Sequence, residues 1–102
     1  MKMSWIFFTR TDLPKSWILV QTAHASYLAG EKFGHSKDLH FVVLGVKNLD
    51  ELHRVKVRLE FDGIEFVAFE ESYKDTGLTS IATRPLPFRP RWLREYSLLS
   101  MD

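Results

Sequence analysis

The stretch from Asn48 to Gly63, NLDELHRVKVRLEFDG, decides the fold because it supports two readings. Asn48 and Glu51 stand three apart as a capping pair, the side-chain oxygen of the first facing the backbone N–H of the second. Leu49, Leu52, Val55 and Leu59 then recur at intervals of three or four, the period of one helix face. Against this, Val55, Val57, Leu59 and Phe61 alternate with charged residues, and Asp62-Gly63 is a strong hairpin turn, so the same letters also spell strand, turn, strand. We read a helix ending near Asp62-Gly63, because the cap fixes its start.

Outward from this helix the elements alternate. Upstream, Trp5-Ile6-Phe7-Phe8-Thr9 is an aromatic and β-branched run closed by Arg10-Thr11-Asp12, the pattern of a buried first strand. Pro14 suits a helix first turn, Lys15 to Ala29 holds no Gly or Pro, and Gly30 reads as the stop of a first helix. A polar stretch, Glu31 to Lys37, leads into a second strand over Leu39 to Val46. Downstream, Ile64 to Phe69 and Thr79 to Thr83 read as two more strands, separated by the acidic loop Glu70 to Gly77. Pro85, Pro87 and Pro90 forbid a regular central strand after that, and Pro90 opens one short terminal helix. Strand, helix, strand, helix, strand, strand is a three-layer α/β pattern, with no repeat and no linker, and it predicts a single domain over residues 1–102.

The chain has 102 residues, 45% hydrophobic and 26% charged, enough for one core without staples. It has no Cys, which excludes disulfides, thiolate metal sites and a thiol nucleophile and leaves the reducing cytoplasm or nucleus as the default compartment, of which the cytoplasm is the expectation. A net charge of +1 gives no global pull toward a polyanion. The apolar run Trp5 to Phe8 is far shorter than the roughly 18 residues a membrane span needs, and no secretory leader is present, so the expectation is no membrane and an unprocessed chain.

The chain lacks a phosphate-binding loop, a dinucleotide turn and a nucleophile elbow. His24, His35, His40 and His53 show no metal-ligand spacing, so neither a metal nor a cofactor is expected. Two segments carry chemistry. Gln21 and His24, three apart, put two polar groups on one face of the first helix, with Trp17 and Leu28 extending it. Buried polar groups must be bonded, which a core network satisfies as well as a site does. In Asp75-Thr76-Gly77-Leu78-Thr79 a carboxylate and a hydroxyl flank a Gly turn at a strand mouth, either to polarise a water or to cap the turn.

With Arg10-Thr11-Asp12-Leu13 at the end of the first strand, Gln21-Thr22-Ala23-His24-Ala25 in the helix and Asp75 through Ala82 in the loop, the chain resembles the type 2 peptidyl-tRNA hydrolases over about residues 4 to 99. The resemblance implies a mixed four-stranded sheet between helices, supports the helix over 49–62, and suggests a dimer. It further implies that Asp75, Thr79 and Gln21, with His24 nearby, surround the ester joining a peptide to the terminal ribose of a tRNA. Asp75 would act as base or water orienter, while Thr79 and backbone amides would donate to the oxyanion. Where that family carries a Lys, four residues before the Gln, this chain has Trp17, with Lys15 two residues earlier; Ser16-Trp17 and Arg84-Pro85-Leu86-Pro87 are more like a divergent branch of the superfamily. Arg84, Arg89, Arg91 and Arg94, near Phe88 and Trp92, read either as phosphate contacts and a stacking platform for an RNA acceptor end or as a solvated loop with Trp92 and Tyr96 folded onto the core. The expectation is therefore an esterase acting on peptidyl-tRNA or a related acylated RNA, the alternative a non-catalytic RNA- or protein-binding module on the same fold.

Overall fold

A computed structural model describes residues 3–34 and 40–100. Strand β1 (Ser4–Arg10) is buried along its whole length and leads into helix α1 (Lys15–Phe33), strand β2 (His40–Val46) and helix α2 (Leu49–Phe61). Strands β3 (Phe66–Glu71) and β4 (Gly77–Thr83) follow, and after a short 3₁₀ helix at Arg91–Glu95 the two-residue strand β5 (Ser97–Leu98) ends the sheet.

The sheet is mixed, in the order β3-β4-β1-β2-β5. β1 runs parallel to β2, which requires the α1 crossover, and antiparallel to β4. Five strands stand where four were expected. β5 pairs with β2 at Leu44 and Gly45, and its two residues follow a proline-rich segment with no β-branched run to announce it.

Side-chain alternation along β1 divides the core. Ile6 and Phe8 join Leu44, Val46, Leu52, Val55, Leu59 and Ile81 on the α2 face. Trp5 and Phe7 join Ala25, Ala29 and Ala82 on the α1 face. One helix covers each face, so the layers are helix, sheet, helix.

Asn48 caps α2 as its spacing predicts, accepting from the Glu51 N–H at 3.0 Å. The conflicting alternation is resolved by burial: Leu52, Val55 and Leu59 enter the core, while Val57 (63% exposed) and Phe61 (90%) lie outside it.

Other boundaries shift. α1 does not stop at Gly30 but continues to Phe33 and ends at Gly34, whose φ of 82° suits a residue without a Cβ. Phe33 supplies the reason, since its ring meets Trp5 at 6.4 Å and holds the last turn on the sheet. Ile64 precedes β3 as a core plug, its N–H bonded to Leu59 O at 2.9 Å. β4 starts at Gly77 rather than Thr79. The expected start of β2 at Leu39 and the end of the polar stretch before it, His35 to Lys37, lie outside the described residues. No helix among those described is long and apolar enough to cross a membrane.

Candidate functional site

The helix motif and the loop motif meet under α1. The Thr79 hydroxyl donates to Gln21 Oε1 at 2.9 Å, and the Gln21 amide Nε2 donates to Glu71 Oε1 at 3.2 Å. Gln21 is 2% exposed and Thr79 fully buried, so these bonds satisfy groups that water does not reach.

A β-bulge aims Thr79. In the β3–β4 ladder Phe69 pairs with Ser80 and Glu70 with Leu78, so Thr79 is the extra residue. Strict alternation would send Thr79 toward α2, because Ser80 already faces α1. The bulge turns both toward α1: Ser80 bonds Thr9 Oγ1 at 2.8 Å, and Thr9 bonds Thr22 of α1 at 2.8 Å. Thr79 Oγ1 also lies 3.2 Å from Phe69 O, at the interrupted rung. Its one proton is shared between that carbonyl and Gln21, so its hydroxyl supports the site's floor and is not aimed at a ligand.

Asp75 does not join this pair. It is exposed, in a turn where Lys74 and Asp75 both have positive φ, 53° and 54°. Its N–H is bonded to Ser72 O, and among the described residues its carboxylate has no hydrogen bond to Gln21 or Thr79. Consecutive left-handed non-glycine residues are unfavourable and persist only where the surroundings impose them. Arg10 holds the chain that follows this turn. Its guanidinium, nearly buried at the end of β1, donates to both Asp12 oxygens at 2.9 and 3.0 Å and to the Thr76 and Leu78 carbonyls at 2.7 and 3.1 Å. The two bonds to carbonyls hold the chain on either side of Gly77.

Trp17, where the resemblance places a cation, packs its ring on Tyr73 at 5.7 Å, two residues before Asp75. Lys15 is exposed at the start of α1. His24 sits against β3, its ring 4.3 Å from Phe69, and its buried Nδ1 finds no hydrogen-bond partner among the described residues.

The tail lies elsewhere. Trp92 stacks on Phe8 at 5.8 Å, on the α2 face, and its Nε1 donates to Asp62 Oδ2 at 2.8 Å. Its ring therefore serves the core, and Phe88, which is exposed, is the aromatic side chain the tail presents to solvent. Arg84 follows the far end of β4 and donates to Pro85 O at 3.3 Å. Arg89 and Arg91 border a cleft against β2 on the α2 side. The sheet thus stands between them and Gln21–Thr79.

Sequence reasoning missed Glu71 and the buried role of Arg10. Glu71 read as one residue of an acidic loop, whereas β3 runs on to Glu71 and alternation sets it on the α1 face with Val67 and Phe69, within reach of Gln21. Among the described residues no three His, Asp or Glu side chains group to hold a metal. No family model matches the chain, and no curated protein matches it.

Proposed function

We propose that this protein hydrolyses the ester of peptidyl-tRNA, or of a related acylated RNA, in the cytoplasm. The observation that supports the reading is the Thr79–Gln21 bond, which joins two motifs 58 residues apart beside the Arg10-anchored loop that presents Asp75 to solvent. In this reading Asp75 is the catalytic residue, orienting or deprotonating a water at the ester carbonyl. Gln21 and Thr79 are positioning residues, because both are buried, and His24 borders them. Lys15 is the phosphate contact at the start of α1. The test is release of free tRNA from an N-blocked aminoacyl-tRNA: the parent turns over, and Asp75→Asn lowers the rate at least 100-fold.

A second reading, a non-catalytic binding module on this fold, is favoured by Trp17. Its ring is engaged with Tyr73, so the start of the site carries an aromatic contact where a cation is expected. Turnover that appears only in Trp17→Lys supports this reading over the first.

The proposal extends to a homodimer through the outer face of α1, where Leu19 (66% exposed) and Tyr27 (69%) flank Ala23. The helix has no charge between Lys15 and Glu31, and these two lie eight residues on either side of Ala23. An antiparallel second copy centred on Ala23 therefore sets Leu19 beside the partner subunit's Tyr27 and Lys15 beside the partner subunit's Glu31.

A further inference from the structure

The cleft between β2 and the terminal 3₁₀ helix separates charge from apolar surface. Val42, Leu44, Leu93 and Leu98 form an aliphatic floor, Arg89, Arg91 and Arg94 stand around it, and the volume is about 470 Å³, within the range of small-molecule sites. None of the three guanidinium groups has a carboxylate partner among the described residues. Glu95, the one acid between Arg84 and Tyr96, is held by Arg58 through bonds of 2.9 and 3.0 Å, and Arg89 meets the ring nitrogen of His40 at 3.3 Å. Three like charges beside low-dielectric surface repel one another, and an anion placed among them relieves that repulsion.

We propose that this cleft binds an amphiphilic carboxylate, an acid whose alkyl or aryl body lies on the aliphatic floor while its carboxylate is held by the arginines. A planar guanidinium fork matches a carboxylate through two parallel hydrogen bonds. A polynucleotide fits less well. Ribose hydroxyls would rest on Val and Leu side chains without partners. Tyr96, the aromatic residue at the cleft, is already edge-on to Phe8 and Trp92 at 5.9 and 6.3 Å and offers no free stacking platform. The site lies across the sheet from Gln21 and Thr79, so it stands or falls independently of the esterase reading.

Calorimetric titration of the full chain with octanoate and with N-acetylphenylalanine tests the proposal, and the tighter of the two identifies a fatty acid or an acylated amino acid as the source. Saturable binding at one site is expected, weakened at least tenfold in the double variant Arg91→Gln, Arg94→Gln. Both residues are exposed, so the variant should melt as the parent does. Leu98→Glu, which puts a carboxylate on the exposed edge of the floor, should remove binding as well. Acetate, which lacks the apolar body, should bind at least tenfold more weakly than octanoate. Equal affinity in parent and double variant, acetate binding as tightly as octanoate, or no binding of either acid at millimolar concentration would overturn the proposal. So would a single-stranded oligonucleotide that binds through Arg91 and Arg94 while both acids fail.

Discussion

Thr79 shows how much one residue's direction can depend on a backbone irregularity. Its place in a motif was legible from Asp75, Gly77 and the hydroxyl at the fourth position, but its burial was not, because local sequence carries no signal for a bulge that depends on pairing with β3. The burial changes its role from donating to a substrate to fixing Gln21. Thr79→Val keeps the shape, removes the hydroxyl and strands Gln21 Oε1 in the core, so it should cost about 1–3 kcal/mol in urea unfolding. Thr79→Ser retains the bond and should cost less than about 1 kcal/mol. A loss in Thr79→Val no larger than that in Thr79→Ser would show that the hydroxyl's bond to Gln21 does not stabilise the fold. Arg10 was legible as part of a strand-end motif, yet two of the four bonds it donates depend on a loop 66 and 68 residues away.

Among the elements, α2 was the most readable, since a local cap outweighed a period-two pattern that burial then assigned to the exposed face. β5 was the least readable, being two residues whose pairing is set by the tail packing on β2. Gly45 belongs to the same junction. It lies between Thr9 and Ser97 in the sheet, and a Cβ there would sit 2.9 Å from Thr11 Cγ2 and 3.7 Å from Leu99 Cδ1. Gly45→Ala should therefore destabilise by about 1–3 kcal/mol through overpacking. Adding Thr11→Ser, which removes Cγ2 and keeps the hydroxyl bonded to Val46 O, should recover most of that loss in the same unfolding assay.

Tyr96 ties the tail to the core and gives it a pH dependence. Burial pushes its phenol above the ordinary value of 10.0, against the lowering influence of Arg58. The fold thus favours the protonated phenol. Its contribution is complete below the ordinary value and is lost as pH rises through the raised one. Thermal melts above pH 10 should fall more steeply for the parent than for Tyr96→Phe, and parallel curves would exclude Tyr96 as the source.

At the scale of the molecule, the sheet sorts the charged and polar groups that the sequence left side by side. Gln21, Thr79 and Thr9 lie on the α1 face, and the tail arginines on the α2 face. Sequence order could not show this, because the side on which the tail packs is decided by Phe8, Trp92 and Tyr96 meeting in space. The outer face of α1 makes a separate prediction about assembly. Lys15→Glu or Glu31→Lys alone should shift light-scattering mass toward the monomer, and the two combined should restore the dimer. A parent that is monomeric at every concentration would end the dimer proposal.

The proposed esterase activity rests on Asp75, exposed in the turn before β4, with the buried Thr79–Gln21 bond supporting the site. Its most direct test is tRNA release from N-blocked aminoacyl-tRNA by the parent, Thr79→Ser and Thr79→Val, with rates expressed per folded molecule. The expected result is turnover in the parent, near-parent turnover in Thr79→Ser, and a loss of at least tenfold in Thr79→Val with the substrate's KM little changed. No turnover in the parent, or equal turnover in all three, would contradict it.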